Sequence, residues 1–263
     1  MATLVCFHAH PDDEAISTGG TMAKAAAAGH RVVLVLATRG EEGEKIPGVV
    51  PEGSELGAWR ERETRDSAAL LGCQRVVFLG YRDSGMAGAP QNDAPDSFWQ
   101  ADTDEAAGRL ARVLDEERAD ALTVYDSHGV YGHPDHVAVH RVGTRAAELA
   151  GTERVYWATM NRDRIREMVE AAERAGTPVD AERTERVDSE EFGLPDADIT
   201  HAIDVSEVLD LKRSAMAVHA SQIAPESFFL ALGQEEFAAA FGTEWFVRPG
   251  RGRNGPHEPD LFA

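Results

Sequence analysis

Two short stretches hold most of the residues able to do chemistry: His8-Ala9-His10-Pro11-Asp12-Asp13-Glu14 and, far along the chain, Tyr131-Gly132-His133-Pro134-Asp135-His136. Each sets a proline where a helix would begin, which suits its fixed φ and missing N–H. Each places ligand-type residues three apart, His10 with Asp13 and His133 with His136, close together around a first helical turn. Two histidines and one carboxylate suit Zn²⁺, one per chain, and leave a coordination position for water. We take His10, Asp13 and His136 as the ligands. Non-haem Fe(II) uses the same donor set, so the metal is less fixed than the site. A metal-coordinated water can have its pKa brought down to ~7. Asp12 is placed to act on that water as general base. His133 is a candidate stabiliser of an oxyanion, with Asp135 setting its orientation or charge. The set fits hydrolysis of an amide or ester. Taken singly, each residue has a plainer reading: an Asp at a helix start is a cap or dipole partner, and a lone His belongs to the surface or the core. The pairing of two matched clusters argues for a site.

That pairing requires the fold to bring the clusters together. Short apolar runs alternate with amphipathic segments. Strands are expected at Thr3–Phe7, Arg31–Ala37, Arg75–Leu79, Asp120–Tyr125 and Arg154–Ala158. Helices are expected at Glu14–Ala28, Leu56–Leu71, Thr103–Arg118 and Pro134–Leu149. The second run is almost continuously apolar, as in a parallel strand buried on both faces. Strands alternating with helices predict an α/β, Rossmann-like, doubly wound and mostly parallel sheet. With the order 3-2-1-4-5, strands one and four flank the crevice where such sheets bind ligands, and the two clusters follow those strands.

Beyond residue 160 the pattern is less regular: a charged helix at Arg162–Ala175, a polar stretch at Val179–Asp198 read as a flap or an antiparallel excursion, and a strand at Ile199–Ile203. Helix follows at Val205–His219 and Ser227–Phe241, then an edge strand at Thr243–Val247. A single domain is expected over 1–247, with 248–263 a loose tail rich in Gly, Pro and Arg. The long loops Gly40–Gly57 and Gly80–Asp102 read as functional or disordered.

A net charge of −20 argues against nucleic acid or anionic membrane as partner, because phosphates need a basic surface. There is no apolar run long enough to span a bilayer and no basic leader, so a cytoplasmic enzyme is expected. Its two cysteines, Cys6 and Cys73, read as reduced thiols in apolar stretches. Homo-oligomerisation stays open.

The paired motifs resemble those of the LmbE-like, or PIG-L, deacetylases. Supporting strings are Thr38-Arg-Gly-Glu-Glu-Gly43, Arg60-Glu-Arg-Glu63 and Lys212 through His219-Ala-Ser-Gln222. The resemblance implies an LmbE-like fold and zinc-dependent removal of the acetyl group from an N-acetylglucosamine-containing substrate. It implies zinc on His10, Asp13 and His136, with Asp12 as base. His133 would stabilise the transition state or protonate the leaving amine, with Asp135 behind it. Tyr131 would polarise the carbonyl, and Arg60 and Asp83 would contact the sugar. Tyr81-Arg-Asp-Ser-Gly-Met86 resembles the inositol-glycoside deacetylase branch.

Two other readings share these residues. One is an amidase of the mycothiol S-conjugate type, with the same zinc site and a longer pocket. The other is a non-catalytic sugar- or metal-binding protein, which predicts loss of the base; Asp12 is present. A nucleotide-dependent oxidoreductase is disfavoured, because no Gly-x-Gly-x-x-Gly follows the first strand. Thr18-Gly19-Gly20-Thr21 lies inside the first expected helix, its glycines permitting close helix–sheet packing.

Overall fold

A computed structural model describes residues 1–174, 189–253 and 255–262. Seven strands form one sheet in the order β3-β2-β1-β4-β5-β7-β6. The strands are β1 (Thr3–His8), β2 (Arg31–Leu36), β3 (Arg75–Phe78), β4 (Ala121–Tyr125), β5 (Arg154–Thr159), β6 (His201–Asp204) and β7 (Thr243–Val247). β1 to β5 pair in parallel, in the order expected from sequence. β7 is antiparallel to both β5 and β6. Leu4 to Phe7 and Val32 to Leu36 are fully buried, as central strands covered on both faces must be.

The helices are α1 (Asp13–Ser17), α2 (Gly19–Ala27), α3 (Leu56–Leu70), α4 (Thr103–Glu117), the one-turn α5 (Gly129–Gly132), α6 (Pro134–Ala150) and α7 (Arg162–Arg174). After the undescribed stretch come α8 (Leu209–Val218), α9 (Phe228–Ala231) and α10 (Gln234–Phe241). α4 opens on a capped turn, with Asp102 accepting from the Glu105 amide at 2.9 Å. α6 has Pro134 at its first position and ends at Gly151 in the left-handed region. At Gly143 the helix presses on β4: a Cβ there would lie 2.3 Å from Val124 Cγ1. Among the described residues no helix is long and apolar enough to cross a membrane. Cys6 and Cys73 are unpaired thiols.

Four expectations change. The helix expected over 14–28 is two helices, broken at Thr18. There the Gly20 and Thr21 amides donate to the Glu244 carboxylate at 2.8 Å each, starting α2 on an anionic side chain from β7. The close approach at Gly20 is to Val205, 2.4 Å from the position of a Cβ, and not to the sheet. The segment 243–247 is not an edge: it inserts between β5 and β6, and β6 takes the edge. Finally, the tail is not loose. Glu258 exchanges backbone hydrogen bonds with Thr200 and Ala202, Leu261 is buried, and the Phe262 ring stacks on His30. The tail thereby covers part of an edge that would otherwise expose unpaired amides. Most of the polar stretch at 179–198, up to residue 188, lies outside the described residues, as does Ala175.

Candidate active site

β1 and β4 are adjacent, so the turns that leave them converge at one end of the sheet. The histidine that ends β1 does not join the site. His8 is buried, with Nδ1 2.7 Å from the Tyr125 hydroxyl and Nε2 2.8 Å from Thr18 Oγ1. Burial pushes its pKa down to about 4, so it is a neutral core histidine.

His10, Asp13 and His136 do meet. Asp13 Oδ2 lies 3.4 Å from His10 Nδ1 and 3.3 Å from His136 Nε2. Ligand atoms at Zn–N and Zn–O distances of about 2.0–2.1 Å in a tetrahedron stand about 3.3 Å apart. The rings of His10 and His136 are 5.4 Å apart between centroids. His10, His133 and His136 form a set whose ring nitrogens lie within 4.8 Å of one another, with Asp13 touching two of its members; His10, Asp83 and Asp135 form a second set of the same spread. His10, Asp13, His133 and His136 are all buried. Asp12, Asp13, Glu14, Asp83 and Asp135 crowd the same place, an excess of carboxylates that a divalent cation offsets. The residues therefore fit a metal by both spacing and donor chemistry.

Asp135 departs from expectation. Only its backbone amide meets His133, donating to Nδ1 at 3.1 Å. Its carboxylate accepts from the Ser84 hydroxyl and amide and lies 3.2 Å from His10 Nε2. Asp83 Oδ1 is 3.4 Å from the same nitrogen. Two carboxylates thus orient His10 through the nitrogen turned away from Asp13, an arrangement usual behind metal-bound histidines. Burial opposes charge on His10, but Asp83, Asp13 and Asp135 outweigh it and raise its pKa well above the usual histidine range. His133 is pushed down to about 3 by burial and by the neighbouring His10 and His136. With Nδ1 accepting from Asp135, the Nε2 of a neutral His133 carries its proton.

Asp12 sits at the other side of Asp13, with φ at +95°, outside the regions open to ordinary residues. Its amide donates to Glu14 Oε2 at 3.0 Å and its carboxylate lies 3.2 Å from Arg60 Nη2. Burial raises its pKa to about 6, with Arg60 working against that and Asp13 adding to it. Glu14 is itself held by Ser67 and by His219, whose Nε2 is 2.7 Å from Oε1. Tyr131 is partly exposed, its hydroxyl 3.4 Å from His136 Nε2. It follows Val130, which has φ at +68°, in a turn whose Val130 and His128 amides bond to Asp126.

Arg60 and Asp83, expected to meet the sugar, are each 4% exposed and turned towards protein groups. Asp83 accepts from the Gly85 and Glu42 amides, tying the two long loops together. Sequence reading missed Ser84, Asp126 and the buried Glu14–His219 pair. Ser84, Glu14 and His219 each stood inside a quoted string without a role, whereas Asp126 left no trace.

Comparison with known proteins follows this geometry. Residues 5–147 match the family model PIG-L, described as GlcNAc-PI de-N-acetylase. The chain is 42% identical to a 1D-myo-inositol 2-acetamido-2-deoxy-alpha-D-glucopyranoside deacetylase of Acidothermus cellulolyticus, covering 100% of this chain and 95% of the relative. Among solved structures, the conserved protein TT1542 of Thermus thermophilus shares the fold at a TM-score of 0.60 and 22% identity, over 97% of this chain and 98% of that one. The N,N'-diacetylchitobiose deacetylase of Pyrococcus horikoshii is similar at a TM-score of 0.56 and 25% identity, over 86% of this chain and 72% of that one.

Proposed function

The chain belongs to the PIG-L family of GlcNAc-PI de-N-acetylases, and from that premise we propose that it hydrolyses the N-acetyl group of an N-acetylglucosamine-containing glycoside, releasing acetate and the free amino sugar. The inositol glycoside named for the Acidothermus relative is the first substrate to test. The observation that carries the reading is Asp13 Oδ2 at a tetrahedral-edge distance from both His10 Nδ1 and His136 Nε2, with Asp12 alongside.

His10, Asp13 and His136 would hold Zn²⁺, which supplies Lewis-acid polarisation of the amide carbonyl when bound. Asp12 takes a proton from the attacking water; a carboxylate with a pKa raised to about 6 is a stronger base near neutrality than an ordinary one. His133, neutral and protonated on Nε2, donates a hydrogen bond to the developing oxyanion. Asp12, once protonated, can return that proton to the leaving amine. The Tyr131 hydroxyl adds a second donor to the carbonyl oxygen. Asp135 and Asp83 fix the ring of His10. The unpaired thiols Cys6 and Cys73 are in keeping with a reducing compartment such as the cytoplasm.

The test is metal analysis of the purified protein, then acetate release from a panel of N-acetylglucosaminyl glycosides varied at the anomeric carbon. One zinc per chain and turnover of at least one inositol-linked member are expected. His136→Ala should remove most of the metal. A metal-loaded protein that releases no acetate from any member would defeat the proposal.

A further inference from the structure

We infer that Asp126 is a positioning residue for Tyr131, an inference that rests on the proposed role of the Tyr131 hydroxyl as a donor to the carbonyl oxygen. Tyr131 enters the site from a backbone that its neighbour does not favour. Val130, immediately before it, has φ at +68° and ψ at −48°. That is the region of the γ-turn that is rare and strained, and a β-branched side chain makes it an outlier. Such a conformation persists only where the surroundings over-determine it.

The surroundings do so from three sides. Asp126 Oδ1 accepts from the Val130 amide at 2.9 Å and from the His128 amide at 3.0 Å. The Gly193 amide donates to the Val130 carbonyl at 2.8 Å. The Val130 side chain is buried in the core. The turn has no room to relax towards α6, because a Cβ on Gly129 would lie 2.6 Å from His136 Cβ and 2.7 Å from the Val137 amide nitrogen. Asp126 is itself fixed to the sheet. It is fully buried just after β4, and its Oδ2 accepts from the hydroxyl of Thr159, the last residue of β5, at 2.5 Å. Its amide donates to the Ala158 carbonyl at 3.1 Å. One carboxylate thus refers the turn to two adjacent strands. The group it places is the Tyr131 hydroxyl, 3.4 Å from His136 Nε2, on a ring set edge-on to that of His136. Asp126 belongs to neither of the donor sets described above, so an activity loss that leaves the metal in place reports on the turn.

The test compares Asp126→Ala with Asp126→Asn, each alone and combined with Tyr131→Phe, in the zinc-loaded protein. Asparagine keeps an oxygen for the two amides; alanine does not. Tyr131→Phe sets the ceiling, roughly 10²-fold in kcat, the scale for losing one oxyanion donor. Asp126→Ala is expected to lower kcat by about 10–10²-fold, with KM within about twofold and zinc stoichiometry unchanged. Asp126→Asn should recover most of that loss. In the Tyr131→Phe background, Asp126→Ala should cost no more than about twofold, because the hydroxyl it places is gone. A full multiplicative loss in that background, zinc lost in step with activity, or a rise in KM of about tenfold with kcat retained overturns the inference. If Asp126→Ala does not fold, Thr159→Val, which removes the hydroxyl that holds Oδ2, should show a smaller loss of the same pattern; no loss overturns the inference. A crystal structure of the variant gives a readout apart from activity. Val130 should leave φ +68° and the Tyr131 hydroxyl should move off His136, and an unmoved turn overturns the inference. That readout holds even if no glycoside in the panel turns over, an outcome that would sink the proposed function alone.

Discussion

The tripeptide His-Pro-Asp occurs twice at the site, as His10-Pro11-Asp12 and His133-Pro134-Asp135, and the two copies do opposite work. In the second, Pro134 is the first residue of a long helix, so Asp135 lies within its first turn. Its carboxylate is fully buried, spent on Ser84 and His10. In the first, the helix starts two residues later, at Asp13. Asp12 is left outside it in a left-handed conformation, with its carboxylate side chain 17% exposed. On the roles proposed above, where the helix begins relative to the proline decides whether the same acid becomes a reactant or a support. Asp13, the residue that opens α1, would then take the ligand place that His136 takes in α6.

This contrast can be broken by substitution. Asp12→Asn should cut kcat by about 10³-fold while zinc stays bound, within the range for loss of a general base. Near-normal turnover would erase the distinction between the two acids. His133→Ala should lower kcat by about 10²-fold through loss of an oxyanion donor, with metal content unchanged. A change confined to metal content would make His133 a ligand instead. Asp135→Asn should weaken metal affinity by about 10–100-fold and, at saturating zinc, leave kcat far closer to normal than Asp12→Asn does. Equal kcat losses in the two variants would mean the copies act alike.

The smallest effect separates the two histidines of the first motif. His8 has its folded pKa lowered from 6.5 to about 4, so between those values the unfolded chain binds the extra proton. Stability therefore rises with pH across that window, and it is lost as pH falls from 6.5 towards 4. From pH 7 to 5.5 this contributes a loss of about 1 kcal/mol, measurable by denaturant titration. An NMR titration showing His8 protonated by pH 6 would contradict it.

The parallel strand order, the convergence of both motifs and the grouping of His10, Asp13, His133 and His136 were all legible from apolar runs and residue spacing. The place of Asp135 was not, because the carboxylate is claimed by Ser84, a residue in a loop that no spacing rule connects to it. The protein contacts of Arg60 and Asp83 were hidden for a related reason. A charged side chain in a sequence invites a ligand, and the buried carbonyls and imidazole that engage these two come from other parts of the chain. The break at Thr18 was hidden because its cause, Glu244, lies at the far end of the sequence. The tail was misread by composition: its glycines and prolines look loose, yet one pair of backbone bonds and the apolar Leu261 anchor it.

The carboxylate of Glu244 that starts α2 also pairs with the buried Lys212, 2.6 Å away. It reaches amides 224 and 223 positions earlier, in the helix that directly follows α1. Every ligand and base proposed above lies within the first 136 residues, but the clasp behind them comes from β7, far along the chain. A chain stalled before residue 243 is expected to collapse its parallel strands and still lack a firmly seated α2.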